Sequence, residues 1–136
     1  MREMTSRTFQ TWFAAGHLAN DWPIAALWII VPAAGLSMDL SPAEIGLLFT
    51  IFTVGGALVY VPAGIIADHA SNQGRLLLGT FWWVSVGYLV AALAPGFWSL
   101  AILLAIAGMG NAAWHPIAAG LLSRQSRERR AEALGV

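Results

Sequence analysis

Four runs of this chain are too long and too apolar to be ordinary surface helices of a water-soluble domain: 9–36, 43–67, 76–94 and 97–122. A helix needs about 20 mostly apolar residues to cross the hydrocarbon layer, and each run meets that length. Barrel strands are shorter and alternate strictly between faces, which these runs do not. Composition agrees, because only 10% of the 136 residues are charged, against about 25% in soluble domains. The expected fold class is therefore an all-α membrane protein with four antiparallel transmembrane helices in one membrane domain, 1–136. No domain boundary or low-complexity tract interrupts it.

The connectors are short: "SMDLSP" (37–42), "DHASNQGR" (68–75) and "APG" (94–96). Ser41-Pro42 ahead of Glu44 is a helix-start signal. With four spans, the N-terminus, the 68–75 loop and the C-terminal tail share one side. That side carries all seven cationic residues, Arg2, Arg7, Arg75, Arg124, Arg127, Arg129 and Arg130, and the two opposite loops carry none. Positive charge is retained on the cytoplasmic side, so this side is expected to face the cytoplasm. A cleaved signal peptide ending near "PAAG" (32–35) is the competing reading of the first run. Against it stand His17, Asn20 and Asp21 inside that run and a helical pattern that begins well before Trp22. The tail "RAEALGV" (130–136) resembles the start of a further helix, as in a piece of a longer protein.

With no cysteine in the chain, disulfide scaffolds, thiolate metal sites and cysteine nucleophiles are excluded. There is also no nucleophile elbow and no HExxH zinc motif, so neither an enzyme nor a metal or cofactor site is expected. The arginine-rich tail suits membrane topology better than nucleic-acid binding. The expected partners are the lipid bilayer, a small-molecule substrate and protons.

Polar groups within the spans carry the chemistry, because an ionisable side chain in hydrocarbon costs several kcal/mol unless it meets a cavity or a partner. In "HLAND", His17, Asn20 and Asp21 stand at i, i+3 and i+4, on one helical face. In "GNAAWHP", Asn111 and His115 stand at i and i+4. His17 and His115 both lie slightly cytoplasmic of their span centres, so antiparallel packing can bring the two faces to one depth. A carboxylate and imidazoles there suit reversible protonation, since low dielectric disfavours the charged form of each. Asp21, His17 and His115 are the candidate proton-coupling residues; Asn20, Asn111 and Trp114 are the candidate substrate-cavity residues. The plainer alternative is that Asp21 and His17 pair along their own helix and Trp114 only packs. Trp22, Trp28, Trp82, Trp83 and Trp98 suit packing or interfacial anchoring. Pro23, Pro32, Pro62 and Pro116 each remove a helix hydrogen bond, and Gly55, Gly56, Gly108 and Gly110 permit close helix contact.

Three stretches resemble a known family. "GIIADHASNQGR" (64–75) is similar to the cytoplasmic signature loop of the major facilitator superfamily, with Gly64 and Asp68 at the family's spacing. Its basic residue is His69 here, and Gly74-Arg75 comes three residues later than in the common pattern. "HLANDWPIAALWIIVP" in the first span and "GMGNAAWHP" in the fourth resemble the fosmidomycin-resistance-like subgroup. The resemblance implies an N-terminal fragment of a twelve-span secondary transporter of the inner (plasma) membrane. It further implies a proton-coupled antiporter exporting small molecules, with spans one and four lining the cavity and the rest of the transporter as partner. Two other functions also fit four spans: a free-standing dimeric small multidrug exporter, and a bis-histidine haem bundle using His17 and His115.

Overall fold

The computed structural model describes residues 6–125. They form four helices: α1 (Ser6–Ser37), α2 (Pro42–His69), α3 (Gln73–Ala91) and α4 (Phe97–Gln125). All four are long and apolar enough to cross a membrane. The tail at 130–136, with Arg2, Arg127, Arg129 and Arg130, lies outside the described residues.

Capping groups, rather than the ends of the apolar runs, set where the helices stop and start. α2 begins at a capping box: the Ser41 hydroxyl accepts from Glu44 N–H at 3.3 Å, and the Glu44 carboxylate accepts from Ser41 N–H at 2.8 Å. This satisfies two of the backbone donors that a helix start leaves open. Asn72 caps α3 in the same way, its Oδ1 accepting from Arg75 N–H at 3.0 Å. α3 ends at Ala91, three residues short of its apolar run, because Ala94 precedes Pro95 and is steered away from helical backbone.

At the end of α1, Leu40 N–H donates to Gly35 O and Asp39 N–H to Leu36 O, which closes a Schellman turn. Asp39 takes the left-handed position of that turn, φ 57°, where glycine is the usual occupant. Gly35 sits under the next helix, where a Cβ would lie 2.6 Å from Ile45 Cγ1.

α4 is the central helix. Of its most apolar stretch 61% is buried, against 22%, 11% and 17% for α1, α2 and α3. It packs along α2 and α3, and small residues permit the approach. A Cβ on Gly55 of α2 would lie 2.9 Å from Ala105 Cβ, and one on Gly87 of α3 would lie 2.9 Å from Ala107 Cα. Of the other glycines expected at close contacts, Gly108 lies under Phe52 and Gly110 under Trp83, whereas Gly56 has ordinary room. The bare face of Gly110 lets the Trp83 indole N–H reach Ile106 O at 2.8 Å. Trp83 therefore ties α3 to α4.

Two apolar clusters bracket the bundle. One joins Leu27 and Val31 of α1 to Leu48, Ala91, Leu100 and Leu104; the other joins Ala63 and Ala67 of α2 to Ala113 and Ile117 of α4. α1 touches α4 far less than α2 and α3 do, at the Leu27–Val31 cluster and at a short stretch around Asn20 and Asn111. Beside it a groove of about 470 Å³, lined by Leu27, Ile30, Val31, Tyr88 and Ala91, separates α1 from α3. The outward faces are apolar: Trp22, Trp28, Trp82 and Trp98 are all largely exposed, as a lipid-facing surface requires. Trp28 also stacks on Phe49 of α2, centroids 4.6 Å apart.

Candidate functional site

One of the two stretches where α1 meets α4 is polar. Asn20 and Asn111 face each other, both buried. The Asn111 side-chain amide donates to Asn20 O at 2.7 Å, and the Asn20 amide reaches Asn111 O at 3.5 Å and donates to Asp21 Oδ1 at 3.0 Å. Each asparagine thus uses its amide on the backbone of the opposite helix. That is how a buried amide avoids the desolvation cost of an unmet donor. Asn20 Oδ1 has no partner among the described residues.

Next to this pair, one carboxylate serves two imidazoles. Asp21 Oδ2 lies 3.1 Å from His17 Nε2 on its own helix, and Asp21 Oδ1 lies 3.5 Å from His115 Nε2 on α4. The i, i+4 spacing gives the first contact and the crossing of α1 over α4 gives the second. The two imidazole rings meet edge to face at 5.5 Å. His17 also stacks on Trp114, centroids 5.1 Å apart and planes 11° apart, while Phe13 tilts against Trp114 at 5.5 Å. Trp114 is 3% exposed, whereas the His17 and Asp21 side chains are 51% and 46% exposed and His115 is 32% exposed. α1 and α4 thus bury Asn20, Asn111 and Trp114 and leave the neighbouring ionisable groups partly uncovered.

The plain pairing of Asp21 with His17 along one helix is present, but it is only half of the arrangement. Two imidazoles on one carboxylate can hold a proton between two helices and hand it from one ring to the other. A bis-histidine haem does not fit: it needs the two ligating nitrogens on opposite sides of a porphyrin plane, and here both turn to one carboxylate.

Sequence reasoning passed over Tyr60 of α2, whose ring lies 6.4 Å from that of His115. A tyrosine two residues before Pro62 in an otherwise apolar helix was the available signal. Tyr88, with its hydroxyl buried and without a partner among the described residues, was passed over too.

The signature-loop residues fall at the far end of α2 and the start of α3. Gly64 faces Pro116 of α4 at ordinary contact distance. Arg124 of α4, rather than Arg75, reaches Asp68: its Nη2 donates to Asp68 O at 3.1 Å and lies 3.8 Å from Asp68 Oδ1. Gly74 and Arg75 lie in the first turn of α3, where the Arg75 backbone meets the Asn72 cap. Buried Gln73 donates to Ala67 O at 3.0 Å and fastens the two helix ends together.

The family model described as Major Facilitator Superfamily matches residues 13–136. A probable 4-methylmuconolactone transporter of Cupriavidus pinatubonensis (strain JMP 134 / LMG 1197) is 30% identical over 122 residues, which cover 89% of this chain and 28% of that protein. The chain thus spans just over a quarter of the length of this relative. No solved structure matches the chain significantly.

Replacing Asn111 by Ala removes the shorter interhelical amide bond and leaves Asn20 O in an apolar contact. Thermal unfolding in detergent should show a loss of about 1 kcal/mol, the scale of polar helix–helix bonds in membranes. An unchanged melting temperature would mean that this bond does not hold α1 in place.

Proposed function

The chain belongs to the major facilitator superfamily, and from that premise we propose that it forms part of a proton-coupled secondary transporter of small organic molecules. The observation that carries this reading is the Asp21 carboxylate held between His17 of α1 and His115 of α4. Asp21 takes up and releases the coupled proton. His17 and His115 relay it, and solute binds beside Asn20, Asn111 and Trp114. A proton on Asp21 weakens its hold on His115, so protonation and the packing of α1 on α4 are linked, as coupling requires.

The transporter is an exporter of the inner (plasma) membrane, as the likeness of "HLAND" and "GMGNAAWHP" to the fosmidomycin-resistance-like subgroup suggests. The related transporter's name makes 4-methylmuconolactone the first solute to try. The arginine distribution supports a cytoplasmic location for the 68–75 loop and both chain ends.

The test is transport in proteoliposomes containing the full-length transporter that carries this segment, with an imposed pH gradient. Asp21→Asn should insert normally and reduce gradient-driven solute movement by about tenfold or more, within the usual span of coupling energies. Undiminished transport in that variant would end the coupling role of Asp21.

Orientation has its own test, because the chain has no native cysteine. In intact cells a membrane-impermeant maleimide should label Leu93→Cys at once and Ser71→Cys only after permeabilisation. The reverse pattern would overturn the orientation.

A further inference from the structure

We infer that His17, Asp21 and His115 form a binding site for a first-row transition-metal dication of the Zn²⁺ class, bridging α1 and α4. One ligand atom from each residue lies within 4.8 Å of the other two. Zinc bonds to imidazole nitrogen and carboxylate oxygen of about 2.0–2.1 Å place neighbouring ligands of a tetrahedral ion roughly 3.3 Å apart. The two nitrogen–oxygen separations here are 3.1 and 3.5 Å. They run to the two different oxygens of Asp21, so seating an ion on one atom of each residue draws the widest ligand separation, up to 4.8 Å, in by about 1.5 Å.

The donor set selects the metal. Two imidazoles and one carboxylate suit zinc, cobalt or nickel, whereas calcium and magnesium require a shell of oxygens. Three protein ligands also leave a coordination position for water or solute. The site has the supporting contacts that metal ligands use: the Asn20 amide donates to Asp21 Oδ1, and Trp114 backs the His17 ring. The four helices leave about half of the Asp21 and His17 side chains uncovered, which leaves their ligand atoms room for an ion. His115 stands 94 positions beyond Asp21, so no contiguous motif spells out this set; the expectation of no metal rested on the lack of cysteine and of an HExxH motif.

The inference rests on the placement of these three side chains and not on proton coupling, and its test reads binding without a gradient. The 136-residue chain, purified in detergent without a histidine tag and stripped with chelator, is titrated with Co²⁺ and then with competing Zn²⁺. One Co²⁺ should bind per chain with a ligand-field spectrum of low coordination number, and Zn²⁺ should displace it. His17→Ala and His115→Ala should each weaken binding by about 100-fold or more, since even groups one layer outside a metal's ligands change affinity by 10- to 100-fold. His69→Ala, which alters the remaining histidine of the chain, should leave it unchanged. Because His17 is half-exposed, His17→Ala keeps the helices, as circular dichroism will show, and decides the matter even if His115→Ala does not fold. Absence of saturable binding at one ion per chain, or binding that survives His17→Ala, overturns the inference.

Discussion

A polar side chain inside an apolar bundle must find a partner, and this constraint fixes where α1 lies. Asn20, Asp21 and His17 occupy one face of α1, and the face of α4 that can answer them carries Asn111 and His115. The amides meet each other's backbone, and the carboxylate bridges to the second imidazole. Apolar packing alone would leave the register of these helices loose, because lipid tails are as favourable a surround for leucine as another helix is. The buried amide contact gives α1 one register on α4, and the open ionisable groups are positioned by it.

Small residues do the corresponding work for the rest of the bundle. α4 sits at the centre because Gly55 and Gly87 let α2 and α3 come against Ala105 and Ala107. The Trp83 indole then reaches the α4 backbone across Gly110. The result is a firm three-helix packing around α4, with α1 joined to it chiefly at the polar stretch and at the Leu27–Val31 cluster. A groove remains on the α3 side of α1.

Much of this was legible in the chain. The four apolar runs gave the helices, and the Ser41–Glu44 pattern gave a start that the capping box bears out. The i, i+4 spacing in "HLAND" and "GNAAWHP" gave two polar faces at one depth, which the structure brings into contact. What the sequence left open depends on side chains meeting across helices. It could not say that Arg124 rather than Arg75 approaches Asp68, because that contact depends on how the ends of α2 and α4 align. Nor could it reveal Tyr60 beside His115, since a lone tyrosine in an apolar helix has no periodic partner to mark it. The buried setting of Asn20, Asn111 and Trp114 beside the half-open His17 and Asp21 likewise follows from packing, not spacing.

The central claim is that the Asp21 carboxylate is shared between two helices and does not serve His17 alone. Solid-state ¹⁵N spectra of the histidine-labelled protein in lipid bilayers, with and without Asp21→Asn, test it directly. The account predicts that the ring-nitrogen signals of both His17 and His115 move in the variant while those of His69 stay. Movement of the His17 signals alone would contradict it.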